Sequence, residues 1–251
     1  MSTEDISNSP GRRPIAGGSP QSAVLLTVEN LMVGYGPVRA LNGVSLEVAR
    51  GSTTALVGAV GAGKTTLIRA IAGLVPVAGG SIRFHGRELS DLTAHEIAGL
   101  GIAHVAEGRY LFASMSVREN LELGATLLRA RAGRQQRLER ILALFPRLAE
   151  RLDDDAGLLG AGEQQMVAIG RCLMANPDLI LFDEPTRGLP TALARRLFQL
   201  IGTLEAEGVT IILAEQNARA ALRLSDSAHV LEHGRIVLSG PGLDLLRDEE
   251  E

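Results

Sequence analysis

One short segment, GAVGAGKTT at residues 58–66, constrains the fold of this chain more than any other feature of its sequence. The segment fits the pattern G-x-x-x-x-G-K-[ST], with Gly58, Gly63, Lys64 and Thr65 at the defining positions. The apolar stretch TTALVG leads into it as a buried strand, and the helix-like LIRAIAGL follows. A strand, a glycine loop and a helix in this order predict a parallel α/β core with a phosphate-binding loop.

The residue types of this loop point to nucleotide binding. Glycines let the backbone curl so that its amides face phosphate oxygens, Lys64 reaches the β- and γ-phosphates, and the Thr65 hydroxyl ligates Mg²⁺. We therefore assign Lys64 a catalytic role as well as a binding one. The predicted nucleotide-binding residues of the loop are Gly58, Gly61, Ala62, Gly63, Lys64, Thr65 and Thr66.

A second segment, LILFDEP at residues 179–185, supplies the acidic half of a nucleotide site. Its apolar residues predict a buried strand, and Asp183 at the carboxyl end is placed to hold Mg²⁺. Glu184 is the candidate to orient or deprotonate the water that attacks the γ-phosphate. The two segments together predict Mg·NTP binding with in-line hydrolysis, but by themselves they leave a kinase, a GTPase and a mechanical ATPase open.

Composition limits the class of protein and its partners. The 251 residues are 45% hydrophobic, which is enough to bury a sizeable core. A net charge of -4 gives no overall basic footprint, so nucleic acid is not an expected partner. No apolar run approaches the roughly 18 residues that cross a bilayer, so we expect a cytoplasmic protein whose membrane contact goes through a partner.

The pattern along the chain predicts a domain with one insertion. Residues 1–24 are rich in Ser, Pro and Gly and are expected to be a disordered tail. Residues 25–246 form the expected domain, which begins with short antiparallel strands, and residues 247–251 an acidic tail. Helix-forming residues dominate residues 117–155, which indicates a helical insertion in the α/β core, taken as residues 107–175. The segment HVLEHGRIVLSG predicts a β-hairpin.

The segment LLGAGEQQMVAIGRCLM, residues 158–174, joins a small-residue loop to a helical pattern, an arrangement that seats anions on backbone amides. It resembles the signature segment of ATP-binding cassette (ABC) proteins, and the resemblance extends over residues 25–246. The family implies a P-loop NTPase (RecA-like) core with an antiparallel β subdomain and an inserted α-helical subdomain. It also implies head-to-tail dimers in which the signature of one subunit holds the ATP of the other.

The resemblance assigns further site residues. Tyr35 matches the aromatic side chain that stacks on adenine, and Gln216 in LAEQN matches the switch position, where many relatives have histidine. Glu107 lies where many relatives carry glutamine, and it is expected to contact the nucleotide and its metal ion. EPTRGL matches the loop that touches the other subunit. The residues expected to contact the partner's ATP are Gly160, Ala161, Gly162 and Glu163.

Glutamate in EGR and glutamine in EQN, together with GEQQMVAIGR and VLEHGRIVLSG, look like the ATPase subunits of importers for branched-chain and other hydrophobic amino acids. The resemblance implies ATP and Mg²⁺, two membrane permeases, a second ABC ATPase or a second copy of this chain, and an indirect link to a periplasmic binding protein. It implies a position on the inner face of the plasma membrane. A weakly hydrolysing regulatory partner and an importer for urea or amides are the alternatives; a stand-alone kinase has no use for a signature segment.

The chain departs from the family pattern at several positions. The signature usually reads L-S-G-G-E, but here Gly160 replaces the serine and Ala161 replaces a glycine, a strained change if that position needs a positive φ. Val60 replaces an asparagine of the P-loop, and Pro190 stands where aspartate or alanine is usual. We therefore expect an intact P-loop site and a weakened signature, a combination that a heterodimer tolerates better than a homodimer.

Overall fold

The computed structural model describes residues 24–248. Its strands are β1 (Val24–Tyr35), β2 (Val38–Ala49), β3 (Thr53–Val57), β4 (Gly79–Phe84), β5 (Arg87–Glu88), β6 (Ile102–Val105), β7 (Leu179–Asp183), β8 (Thr210–Glu215), β9 (Ser227–Glu232) and β10 (Arg235–Gly240). Its α-helices are α1 (Lys64–Ile71), α2 (Ala94–Leu100), α3 (Val117–Leu123), α4 (Leu128–Arg131), α5 (Arg134–Leu144), α6 (Pro146–Ala149), α7 (Ala161–Met174), α8 (Thr191–Ala206), α9 (Ala218–Leu224) and α10 (Gly242–Asp248).

The strands form two sheets of different character. One has the order β2-β1-β4-β5 and is antiparallel. The other has the order β10-β9-β3-β8-β7-β6, in which only the terminal β9-β10 hairpin is antiparallel. Every residue of β3, β7 and β8 is buried, because helices and the other sheet cover both faces of a mostly parallel sheet. The predicted fold class is confirmed.

The two faces of the large sheet pack on different parts of the chain. Leu56 and Leu181 point into a cluster shared with α1 and the antiparallel sheet. Ala55 and Phe182, which alternate with them along the strands, point into a cluster shared with α7, α8 and the inserted helices. The sheet is therefore the common wall between the antiparallel subdomain and the helical insertion.

The helical insertion is fastened to the core by a short loop that follows β6. A capping box between Ser116 and Glu119 starts α3. Asn120, fully buried, donates hydrogen bonds to the carbonyl oxygens of Phe112, Met115 and Ser116, and it accepts one from the Phe112 amide. Because its amide is fully used by backbone groups, Asn120 determines the path of the loop between Glu107 and α3.

The structure changes the predicted ends of the domain. Val24 belongs to β1, so the first strand begins one residue earlier than predicted; residues 1–23 of the predicted tail lie outside the described residues. Arg247 and Asp248, predicted as part of an acidic tail, lie in α10, because the leucines before them pack against the core. Residues 249–251 lie outside the described residues. Over residues 24–248, each helix is too short or too polar to cross a bilayer.

Candidate nucleotide site

The P-loop lies at the carboxyl end of β3, where close backbone approach requires glycine. Gly58 has φ 148°, and a Cβ there would come within 2.3 Å of the Leu231 carbonyl oxygen. Gly63, the N-cap of α1, has φ 112°, and a Cβ there would lie 2.8 Å from a methyl group of Leu41. The loop therefore fits between β9 and β2 only without side chains at these two positions.

Lys64 is the first residue of α1, and its side chain is only 3% exposed. Its Nζ donates hydrogen bonds to the carbonyl oxygens of Gly58 at 2.8 Å and Ala59 at 3.2 Å. The same atom lies 3.6 Å from Oε1 of Glu184. The ammonium group is thus held inside the curl of the loop, at the place where phosphate oxygens are expected.

Thr65 connects the P-loop to the acidic strand. Its hydroxyl donates a hydrogen bond of 2.8 Å to Oδ1 of Asp183 at the end of β7. Burial raises the pKa of the Asp183 carboxyl, the carboxylates of Glu107 and Glu184 raise it further, and the bond from Thr65 opposes them. A buried carboxylate among other carboxylates is a place where a cation is stabilised.

Glu184 follows β7 directly and has an unusual backbone conformation. Its φ is 45°, a value that side-chain-bearing residues adopt rarely, and its amide donates to the Ala214 carbonyl oxygen at 2.8 Å. Its side chain is 8% exposed. Strained residues of this kind cluster at functional sites, and here the strain turns the carboxylate toward Lys64 instead of along the strand.

A cleft of about 180 Å³ is lined by most of the P-loop and by Glu184, whereas Gly58 and Asp183 are absent from its lining. Gln216 does not line it; this side chain is exposed and lines a neighbouring pocket with Gly58 and Ala59. Tyr35 is 46% exposed at the end of β1 and is also absent from the cleft wall. The lining consists of Ala40, Val60, Gly61, Ala62, Gly63, Lys64, Thr65, Thr66, Glu107, Glu184 and Arg187.

The signature segment starts α7 and lies apart from the cleft lining. Gly160 is exposed with φ -66° and ψ 157°, and a Cβ there would meet only the Glu163 carboxylate, at 3.7 Å. Glu163 accepts hydrogen bonds from the Gly160 amide at 3.1 Å and from Arg151 at 3.0 Å. Ala161 is an ordinary first helical residue without a positive φ, so the strain considered for its methyl group does not arise.

Two residues of the site were missed from the sequence. Arg187 forms an ion pair with Glu107 and lies 3.5 Å from Oε2 of Glu184. Glu215, 2% exposed, accepts hydrogen bonds from the Thr186 amide at 3.1 Å and its hydroxyl at 2.7 Å. Desolvation raises the pKa of Glu215, and these bonds oppose it. Its position as the last residue of a buried strand beside β7 was the available signal.

Known proteins resemble this chain along nearly all of the described residues. Residues 41–187 match the profile of a family described as ABC transporter. The chain is 45% identical over 222 residues to the high-affinity branched-chain amino acid transport ATP-binding protein BraG of Pseudomonas aeruginosa, covering 88% of this chain and 95% of that protein. It is 34% identical over 227 residues to the probable branched-chain amino acid transport ATP-binding protein LivF of Archaeoglobus fulgidus, covering 90% and 96%.

A solved structure agrees with these matches. The ADP conformation of an ATP-binding cassette of an ABC transporter superposes with a TM-score of 0.79 at 28% sequence identity, covering 91% of this chain and 96% of that one. The P-loop, the acidic strand and the signature helix described above lie in this shared fold. The chain therefore belongs to the ABC transporter family, as one of its ATP-binding cassette ATPases.

Proposed function

We propose that this chain is the ATP-hydrolysing subunit that couples ATP to the import of branched-chain or other hydrophobic amino acids. The observation that carries the solute class is the identity of 45% to a protein named for branched-chain amino acid transport. Two contacts support ATP hydrolysis: the buried Lys64 lies beside Glu184, and the Thr65 hydroxyl donates a hydrogen bond to Asp183. A weakly hydrolysing regulator and an importer for urea or amides are not favoured, because the relatives are named for branched-chain amino acid transport.

ATP binding rests on the P-loop and on one aromatic side chain. Loop amides between Gly58 and Thr66 and the Lys64 ammonium group hold the phosphates. Lys64 exchanges its bonds to two loop carbonyls for bonds to phosphate oxygens, which are charged and therefore stronger acceptors. Tyr35 supports the adenine, since its ring is exposed and free of ring contacts among the described residues.

Mg²⁺ fits the donor atoms at the end of β7. Thr65 and Asp183 supply adjacent oxygen atoms, the donor type that Mg²⁺ prefers. Within residues 24–248, no three His, Cys, Asp or Glu side chains form a group able to hold a metal ion alone, which suits an ion completed by water and phosphates. When bound, Mg²⁺ neutralises charge on the phosphate oxygens. The resemblance also suggests Glu107 as a metal ligand; in the structure its carboxylate pairs with Arg187, and we propose only Thr65 and Asp183 as protein ligands of Mg²⁺.

Hydrolysis requires a positioned water molecule, and Glu184 is the group proposed to orient it or accept its proton. Lys64, 3.6 Å away, pairs with this carboxylate and fixes its direction. Gln216 is proposed to assist from the end of β8, after the switch region turns toward the bound nucleotide. The exposure of Gln216 leaves this side chain free to do so.

The signature is proposed to act on a neighbouring subunit's ATP. Gly160, Ala161, Gly162 and Glu163 begin α7, whose exposed N-terminus attracts an anion. Because Gly160 supplies no hydroxyl group, we propose that the partner is a second, different ABC ATPase. The pair works on two permeases at the inner face of the plasma membrane, and a periplasmic binding protein delivers the amino acid.

Reconstitution of the chain with two permeases and a second ATPase, in vesicles loaded with Mg·ATP and supplied with the periplasmic binding protein on the outside, tests this function. We expect uptake of labelled leucine, and loss of that uptake when Glu184→Gln replaces the unmodified chain. Urea serves as the control solute. Leucine uptake that is the same with Glu184→Gln contradicts the proposed coupling role, and uptake of urea instead of leucine contradicts the solute class.

A further inference from the structure

Arg187 lines the cleft but lies outside the two nucleotide-binding segments, as Ala40 and Glu107 also do. It follows Glu184 by three positions, in the loop between β7 and α8. Its Nη1 pairs with Oε1 of Glu107 and lies 3.5 Å from Oε2 of Glu184. One guanidinium group thus joins the loop after β6 to the loop after β7, on the wall of the phosphate cleft.

The charges around the cleft explain why such a cation is useful. Glu107, Asp183 and Glu184 bring three carboxylates near the place proposed for a triphosphate, and Lys64 lies beside Glu184. Lys64 contacts Glu184, the Thr65 hydroxyl donates to Asp183, and Arg187 pairs with Glu107. Without that pairing, Glu107 would repel the phosphates of a bound nucleotide.

Folding stability is a poor explanation of this ion pair. The side chains of Arg187 and Glu107 are 57% and 37% exposed. Exposed pairs contribute little to folding, because solvent screens them and ordering two long side chains opposes their attraction. A highly charged ligand beside the pair responds more strongly, because Glu107 repels its phosphates and Arg187 offsets that repulsion.

We propose that Arg187 is a positioning residue of the nucleotide site, which offsets the charge of Glu107 and holds that carboxylate away from the phosphates, and thereby sets the affinity for Mg·ATP. This inference rests on the proposed nucleotide role of the cleft. It assigns Arg187 and Glu107 as a charge-balanced pair: each charge is tolerated because the other is present.

The test measures the dissociation constant of Mg·AMP-PNP for the full chain by calorimetry. We expect Arg187→Gln to weaken binding about five- to tenfold through the unbalanced charge of Glu107, with less effect at high salt. Glu107→Gln should bind at least as tightly as the unmodified chain, and Arg187→Lys should retain most of the affinity. The double variant Glu107→Gln with Arg187→Gln should return to about twofold of the unmodified value.

Arg118→Gln is the matched control, because Arg118 forms an exposed ion pair with Asp153 at 3.8 Å in the helical insertion. The affinity of Arg118→Gln for Mg·AMP-PNP should equal that of the unmodified chain. The inference is overturned if Arg187→Gln binds like the unmodified chain, or if the double variant is as weak as Arg187→Gln alone. Lys64→Ala distinguishes a wrong role for Arg187 from a wrong role for the cleft. If Lys64→Ala also binds normally, the proposed nucleotide role of the cleft is wrong. If Lys64→Ala loses binding while Arg187→Gln does not, only the proposed role of Arg187 is wrong.

Discussion

The P-loop cleft and the signature segment differ in how much of each site the chain completes by itself. At the P-loop site, Lys64, Asp183 and Glu184 are 3%, 1% and 8% exposed, and each makes a contact within the chain. In the signature, Gly160 and Ala161 are exposed, and the neighbouring Leu158 is 74% exposed. One site is shaped by the folded chain, whereas the other is an exposed surface that we propose a partner subunit completes.

This difference shows where sequence changes are tolerated. A side chain at Gly58 would collide with backbone, so the P-loop leaves little freedom. At Gly160 the space for a Cβ is open, and the Glu163 carboxylate already accepts hydrogen bonds from the Gly160 amide and from Arg151. The helix start is therefore kept without the family's serine, and we expect the missing hydroxyl to affect ligand binding instead of the fold.

The largest expected effect concerns the buried site. Glu184→Gln should lower the ATPase rate by at least about a hundredfold, because a general base contributes on that scale. Nucleotide affinity should persist, since the P-loop is unchanged. Steady-state ATPase assays and AMP-PNP binding measure both quantities, with Glu150→Gln, an exposed glutamate of the helical insertion, as the control. A normal rate in Glu184→Gln would remove this residue from the reaction.

The signature predicts a gain instead of a loss. Gly160→Ser should raise the ATPase rate of the assembled pair about ten- to a hundredfold where the signature limits turnover, because a hydroxyl bond to a charged group is worth about 1.5–3 kcal/mol. Gly160→Ala adds the carbon without the hydroxyl and should leave the rate unchanged. Purified chain that hydrolyses ATP at an ordinary rate, unaffected by Gly160→Ser, would contradict the weakened signature.

A smaller effect is expected at the proposed metal position. Thr65→Val removes the hydroxyl that donates to Asp183 at 2.8 Å. We expect the Mg²⁺ concentration for half-maximal ATPase to rise about tenfold, the scale of one hydrogen bond to a charged group. Thr65→Ser keeps the hydroxyl and should behave like the unmodified chain. If the serine variant needs as much Mg²⁺ as the valine variant, the methyl group rather than the hydroxyl matters.

The smallest effect concerns His104 of β6, whose carbonyl oxygen accepts a hydrogen bond of 3.3 Å from the Cys172 thiol of α7. This contact joins the large sheet to the helix that begins at the signature. Burial, helped by the charge of Arg69, lowers the pKa of His104 from 6.5 to about 4. The unfolded chain thus binds a proton that the folded chain does not, and stability present above pH 6.5 is lost as the pH falls toward 4.

His104→Gln should therefore reduce the drop in unfolding temperature between pH 7 and pH 5, as measured by thermal unfolding at each pH. His95→Gln, which changes an exposed histidine on α2, is the control and should leave the drop unchanged. An identical pH dependence in His104→Gln and the unmodified chain would show that His104 does not contribute to acid sensitivity.

Much of the fold was predictable because its signals are local. Three local patterns each predict the structure of their own segment. They are the P-loop pattern between an apolar strand and a helix, the apolar run before Asp183 and the hairpin around His233. The resemblance to the ABC family placed these pieces in one fold, which the comparisons confirm. The helix α10 was not predicted, because its leucines become informative only when the core they pack against is known.

The site was less predictable where it depends on side chains distant in sequence. Arg187 and Glu107 are separated by 80 positions and meet because β6 and β7 are neighbours in the sheet. Glu215 reaches Thr186 for the same reason, across β8 and β7. The assigned roles of Tyr35, Gln216 and the signature residues stay predictions.

The sequence alone determined the chemistry of this chain: a glycine loop with Lys64 and Thr65, an acidic pair after a buried strand, and a signature without its hydroxyl. These are local properties, since glycine freedom, charge and a missing atom do not depend on distant residues. Only the tertiary structure decided which charges balance one another. Ion pairing depends on distances between loops, and those distances are set by the order of strands in the sheet and by the packing on its two faces.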